Sequence, residues 1–86
     1  MPTTVFGPDH AHLVAVLVEA RSASGLMQVE LAERIGKSQT HVSNIERGER
    51  RVDVLEFIAL AKAMGLRPRD LFERLEARIK RHASPD

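Results

Sequence analysis

The stretch GLMQVELAERIGKSQTHVSNIERGERR, residues 25–51, decides the fold of this chain. Three of its apolar residues lie along one edge of a short helix: Leu31, Ala32 and Ile35. Gly36 ends that helix, and Ser38 is a good N-cap for a second one, in which Val42 and Ile45 are the residues to be buried. The segment therefore predicts two short helices that meet across a turn of about three to four residues.

Such a helix-turn-helix directs its second helix outward, where the helix can enter a DNA major groove. On the side opposite Val42 and Ile45, this helix carries hydrogen-bonding side chains: Gln39, Thr40, Ser43, Asn44 and Arg47. Asn and Gln can bond adenine at N6 and N7, Thr can contact the thymine methyl group, and Arg can hold a phosphate or a guanine. Composition alone favours a merely polar side that faces solvent. The spacing of these residues and the family pattern described below favour DNA.

Outside this segment, glycine and proline divide the chain into further helices. Five helices are predicted, at about residues 9–24, 28–35, 38–47, 53–64 and 68–82. They take up most of the 86 residues, far above the one third or so of an average globular domain, so the fold class is all-α. We expect one domain over residues 9–82, with an N-terminal tail at 1–8 and a C-terminal tail at 83–86.

The first helix has a wider apolar surface than one core contact requires. Its residues 13–18 spread over about 200°, against about 100° for a single packed stripe. A buried strand is disfavoured for this run, because the chain has no second run of that kind to pair with it. Two interpretations of the excess stay open: the N-terminal tail folds back through Val5 and Phe6, or a second subunit covers it.

The composition is that of a globular chain, with 43% hydrophobic and 29% charged residues. The absence of cysteine excludes disulfides, thiolate zinc sites and cysteine nucleophiles. No apolar run is long enough for a signal-peptide core or a membrane span, so we expect a cytoplasmic protein without membrane contact. The net charge is only +1, but residues 34–51 carry five cations against two carboxylates. The middle of the chain is therefore locally basic.

Residues 25–51 resemble the helix-turn-helix of phage Cro and repressor proteins, also called the xenobiotic-response-element (XRE) family. The shared motifs are Gln28-x-x-Leu31-Ala32, the Gly36 turn, Ser38-Gln39 and Ile45-Glu46-Arg47-Gly48. The resemblance extends loosely from residue 13 to residue 75. It implies a five-helix bundle like the DNA-binding domain of lambda repressor, which binds operator DNA, commonly as a twofold dimer, and regulates transcription.

Position by position, the resemblance implies a role for several residues of this chain. The base-reading set is Gln39, Thr40, Ser43 and Asn44. The set that contacts the DNA backbone is Gln28, Ser38, His41, Arg47, Arg50 and Arg51. The resemblance also implies a partly buried ion pair between Arg21 and Glu46. This pair joins the first helix to the end of the recognition helix, and its role is primarily structural.

Two positions depart from the family pattern. Met27 stands where the family usually has Ser or Thr, and a methionine cannot accept the capping hydrogen bond from the second helix. Glu49 lies in the loop where the family often has a cation, which should weaken non-specific DNA binding. We therefore expect a weakly capped second helix and an affinity that depends on Arg50 and Arg51.

The expected partner is double-stranded operator DNA with a roughly palindromic site, bound by a homodimer that acts as a repressor. The alternative is an antitoxin-like or adaptor protein that uses this fold to bind a small protein, through the first helix or through the apolar stripe at residues 71–79. We expect no enzymatic activity and no cofactor, because no nucleophile–base set or phosphate loop is visible. No metal site is expected, since His10 and His12 diverge on a helix and no third ligand is near.

Overall fold

A computed structural model describes residues 5–83 of the protein. Within those residues the chain forms five helices and no strand: α1 (Pro8–Ala23), α2 (Gln28–Ile35), α3 (Gln39–Glu46), α4 (Val54–Ala63) and α5 (Pro68–Arg81). Each bound lies within one residue of its prediction, so the all-α, five-helix prediction is confirmed. The predicted tails fall largely outside the described residues, and the limits of the domain stay a prediction.

Local signals set the ends of the two central helices. The Ser38 hydroxyl accepts a hydrogen bond from the His41 backbone N–H at 3.2 Å, which makes it the N-cap of α3. Gly36 adopts φ 70°, a left-handed conformation that residues with a Cβ avoid. The chain thereby turns sharply, and the Lys37 N–H donates to the Ala32 carbonyl at 2.9 Å. These two residues fix the turn between α2 and α3.

One apolar cluster joins the helices. Its most deeply buried members come from four of them: Ala32, Val42, Ile45, Leu60, Ala61 and Leu71. Helices α2 and α3 pack against each other, and α2 also packs on α4. Because Val42 and Ile45 anchor α3 to this core, the opposite side of α3 lies away from it.

The apolar surface of α1 is largely covered by the chain itself. Val14, Val16 and Leu17 are at most 5% exposed. The N-terminal segment contributes through Phe6, whose ring packs edge-on against His10 with centroids 4.9 Å apart. Val5 is 82% exposed and does not fold back. Phe6 thus packs on α1 at His10, outside the apolar run at residues 13–18, and no second subunit is needed to bury these three α1 residues.

Helix α5 is joined to α1 by polar contacts near its C-terminal end. The Arg78 guanidinium donates to His12 Nδ1 and lies against a Glu19 carboxylate oxygen, both at 3.2 Å. The His82 ring stacks on His12 with centroids 4.7 Å apart. These contacts hold the end of α5 against α1.

Candidate nucleic-acid interface

Helix α3 presents the predicted base-reading residues on the side away from the core. Gln39 and Thr40 are exposed, and Ser43 and Asn44 are half-buried. The helix is only eight residues long, so its orientation depends on packing and on Ser38, which caps it. These four side chains form a ridge of hydrogen-bonding groups on the outer side of α3, opposite the buried Val42 and Ile45.

The ion pair of Arg21 and Glu46 lies behind this ridge and joins α1 to the last residue of α3. Arg21 Nε is 2.6 Å from Glu46 Oε2, and Nη2 is 3.0 Å from Oε1. The third guanidinium nitrogen, Nη1, donates to the Leu26 carbonyl at 2.8 Å. The side chains are 17% and 9% exposed, so water reaches the pair only partly. A bidentate contact of this kind fixes the relative orientation of the two side chains as well as their distance.

Gln28 extends that pair to the surface. Its Nε2 donates to Glu46 Oε1 at 2.8 Å, and its Oε1 accepts from Gln39 Nε2 at 3.5 Å. Glu46 only accepts, so Gln28 must turn its amino group inward and its oxygen toward Gln39. The side chain expected to contact the DNA backbone is therefore engaged within the chain, and its contact with DNA stays a prediction.

Arg47, which follows α3 directly, is joined to two residues of the predicted base-reading set. Its Nη1 donates to Ser43 Oγ at 2.5 Å, and its Nη2 donates to Asn44 Oδ1. Its Nε lies 3.3 Å from Glu49 Oε2. The expected contact of Arg47 with the DNA backbone stays a prediction, and its bridge to Ser43 and Asn44 was not among the expectations drawn from the sequence. The signal was available, since residues three and four apart share a helix face.

His41 is also engaged within the chain. It was expected to contact the DNA backbone beside the base-reading residues, but its side chain is only 11% exposed and is turned toward α4. A ring nitrogen, Nε2, lies 2.7 Å from Glu56 Oε2. The reason is angular: His41 lies on the flank of α3 between the buried and exposed sides, where α4 begins. Nothing local in the sequence marks this pair, because the residues are 15 positions apart.

The loop after α3 carries the two further arginines expected at the DNA backbone. Arg50 and Arg51 are both exposed. The Arg51 guanidinium lies over the Phe6 ring, 4.6 Å from its centroid, a cation–π arrangement. This contact turns Arg51 toward the N-terminal segment.

Nearby, burial lowers the pKa of His10 below its usual 6.5, and the positive charge of Arg51 adds to this effect. A hydrogen bond with the Arg50 backbone opposes it. The imidazole therefore gains a proton less readily than a solvated histidine does.

No group of three or more His, Asp or Glu side chains that could hold a metal ion occurs among residues 5–83. His12 instead accepts the hydrogen bond from Arg78 described above. Within the same residues, no helix has both the length and the apolar character needed to cross a membrane.

Comparisons with known proteins match this geometry. A family model described as helix-turn-helix matches residues 17–71, which include α2 and α3 entirely. The control protein C.BamHI of Bacillus amyloliquefaciens is 36% identical over 52 residues, or 60% of this chain. The present chain covers 64% of the length of that relative, slightly less than two thirds.

Two solved structures are similar in both sequence and fold. One is an XRE-family-like protein from Pseudomonas syringae pv. tomato, with 44% identity and a TM-score of 0.76; the match covers 81% of this chain and 85% of that one. The other is the restriction-modification controller protein C.AhdI from Aeromonas hydrophila, with 38% identity and a TM-score of 0.69. That match covers 74% of this chain and 93% of the other.

Proposed function

The chain belongs to the helix-turn-helix family of the XRE type, and on that premise we propose that it is a sequence-specific, DNA-binding transcriptional regulator. The observation that carries the proposal is the ridge on α3, where polar side chains face away from the core above the anchors Val42 and Ile45. A helix of this size fits the major groove of B-DNA, where each base pair presents its own pattern of donors and acceptors. Two relatives of this chain, C.BamHI and C.AhdI, are a control protein and a controller protein, which supports a regulatory function.

Within this proposal, the residues divide by role. Gln39, Thr40, Ser43 and Asn44 read base edges from α3. Contacts with phosphates come from the two ends of the motif, from Gln28, Ser38, Arg47, Arg50 and Arg51, and these contacts position the helix but do not themselves read bases. His41 is left out of this set, because it faces Glu56.

The regulator acts as a homodimer in this proposal. The surface for the second copy is an apolar face on α4 and α5, which consists of Val54, Phe57, Phe72 and Leu75. Val54 is 73% exposed and Phe72 is 55% exposed, and the rings of Phe57 and Phe72 meet edge to face. Large exposed apolar residues that adjoin one another mark interaction surfaces. A small core gains from such burial, and one patch used by both copies satisfies twofold symmetry.

Two copies related in this way place two α3 helices in successive major grooves, about 34 Å apart, on a roughly palindromic operator. Bound at a promoter, the dimer competes with polymerase for the same DNA, and it therefore acts as a repressor. Double-stranded DNA and a second copy are the partners this function requires.

The test is a selection of bound fragments from random DNA, followed by titration of the selected duplex. We expect a symmetric site and an affinity that falls steeply with salt. Gln39→Ala should cost about 1–3 kcal/mol on the selected duplex and little on random DNA, whereas Arg50→Ala should weaken binding to both alike. Failure to bind any duplex at modest ionic strength would refute the proposal, and equal losses for Gln39→Ala on both DNAs would refute base reading.

The α4–α5 face also favours a second candidate, an antitoxin-like or adaptor protein that docks a different small protein there. The oligomeric state of the purified protein and a gel-shift assay on its promoter DNA distinguish the two candidates. A dimer in isolation that retards its own promoter DNA supports the regulator. A monomer that ignores this DNA and co-purifies with a neighbouring small protein supports the alternative.

A further inference from the structure

Arg47 holds two base-reading side chains at once. It follows Ser43 by four positions and Asn44 by three, so all three side chains lie on one face of the helix. The guanidinium donates to Ser43 Oγ and to Asn44 Oδ1, while its Nε lies 3.3 Å from Glu49 Oε2. We call this arrangement the Arg47 clamp.

The chemistry of the guanidinium fixes which atoms the clamp engages. Arginine carries five N–H donors and no acceptor. Asn44 must therefore turn its oxygen toward Arg47, and its amino group, Nδ2, points elsewhere. Ser43 likewise meets Arg47 with an oxygen lone pair, which leaves its own O–H free to donate.

The clamp thus leaves Ser43, Asn44 and Arg47 with only hydrogen-bond donors to offer to DNA. Asn44 offers an amino group, Ser43 offers a hydroxyl hydrogen, and Arg47 keeps one unused N–H on each terminal nitrogen. The matching edge is one with acceptors only: in the major groove guanine presents two of them, O6 and N7, whereas thymine presents O4 alone beside its methyl group. Adenine places its N6 amino group where guanine has O6, and cytosine presents only its N4 amino group.

We infer that Arg47 is a positioning residue that makes Ser43 and Asn44 select guanine. The inference rests on the proposed function and extends it to a base preference at one position of each half-site. Without the clamp, the Asn44 amide can turn over and bond adenine through N6 and N7 together. Arg47 therefore sets specificity through the two side chains that it orients.

Glu49 supports the clamp from the loop. The Arg47 and Glu49 side chains are 55% and 58% exposed, so their ion pair contributes little to the free energy of unfolding. The ion pair instead orients the Arg47 side chain, because Glu49 occupies Nε and keeps the planar guanidinium over α3. Arg50, an exposed cation of the same loop, takes no part in the clamp.

The test is the base preference at each position of the operator, measured by competition between duplexes that differ in one base pair. The wild type should prefer guanine over adenine at one position of each half-site by about fivefold to 150-fold, the range of a good two-point contact. Arg47→Met should reduce that preference toward equal binding. The matched control, Arg50→Met, removes a neighbouring guanidinium outside the clamp and should weaken binding to all duplexes while the preference stays.

A second variant separates positioning from overall affinity. Asn44→Asp keeps an oxygen for Arg47 and replaces the amino donor by an acceptor, so the preferred base should change from guanine to cytosine, whose N4 donates. A guanine preference that survives both Arg47→Met and Asn44→Asp overturns the inference and leaves the proposed function intact. A wild type with sequence preference but no guanine position in either half-site overturns it in the same way. Absence of binding to any duplex ends the proposed function and this inference together.

Discussion

Replacing Arg21 with methionine should destabilise the domain strongly, although Arg21 belongs to no predicted DNA contact. The substitution keeps the apolar stem and removes three hydrogen bonds, two to Glu46 and one to the Leu26 carbonyl. The Glu46 side chain, which is 9% exposed in the intact structure, then keeps one side-chain donor, Gln28 Nε2, at 2.8 Å. Breaking one side of a buried pair costs about 3–5 kcal/mol.

The geometry points to the lower end of that range. Because the Arg21 side chain is 17% exposed, water can enter the space that it vacates and solvate part of the orphaned charge. We therefore expect a loss of about 3 kcal/mol from a total stability of roughly 5–10 kcal/mol for a domain of this size. The measurement is urea unfolding followed by circular dichroism, at one fixed protein concentration because dimerisation raises apparent stability.

Two further variants test whether the ion pair of Arg21 and Glu46 is desolvated. Arg74→Met removes an exposed arginine on α5 and should change the free energy of unfolding by no more than about 0.5 kcal/mol. Arg21→Met combined with Glu46→Gln removes the orphaned charge, so the double variant should be more stable than the sum of the two single losses implies. A loss below about 1 kcal/mol for Arg21→Met, or strict additivity in the double variant, would show that the pair is not desolvated as the structure indicates.

Three other predictions concern the start of α2, the loop after α3 and a histidine of α1. Met27→Ser should raise the free energy of unfolding by about 0.5–2 kcal/mol, because the Glu30 carboxylate already accepts the Met27 N–H at 2.8 Å and serine would complete the capping box; an unchanged urea midpoint would contradict this. Glu49→Gln should strengthen binding to random DNA by up to about fivefold at low salt, the effect of one charge across water, and the gain should vanish at high salt.

The third prediction in this group is a dependence on pH. Since the folded state lowers the pKa of His10 below 6.5, the unfolded chain binds the proton more readily, and stability should be full above pH 6.5 and fall as the pH drops below it. His10→Gln should flatten this part of the pH profile of urea midpoints, and an identical profile would contradict the prediction.

Much of the fold follows from local signals that act within one turn of a helix. Gly36 reverses the chain because its φ is positive, and Ser38 starts α3 because its hydroxyl reaches the N–H of His41. The apolar spacing of Val42 and Ile45 determines which side of α3 is buried. These effects need only neighbours along the chain, which is why the helix bounds agree with the prediction within one residue.

In the candidate site, too, some features follow from the local sequence and others only from the tertiary structure. Its residues are visible in the sequence, because a recognition helix needs polar side chains opposite its apolar anchors. Their partners are not visible when they come from another element. His41 was placed at the DNA backbone, but Glu56 lies 2.7 Å from its ring. Arg51 was expected to meet phosphates, and it stacks over Phe6.

By itself, the sequence determined that five short helices form, where they begin and end, and which side of α3 faces outward, because backbone hydrogen bonding and helical periodicity are settled over a few residues. Tertiary structure alone decided the angles at which these helices pack. Those angles bring His41 to Glu56 across 15 positions and Arg78 to His12 across 66. Contacts at such separations depend on how a whole core closes, and no local pattern encodes that closure.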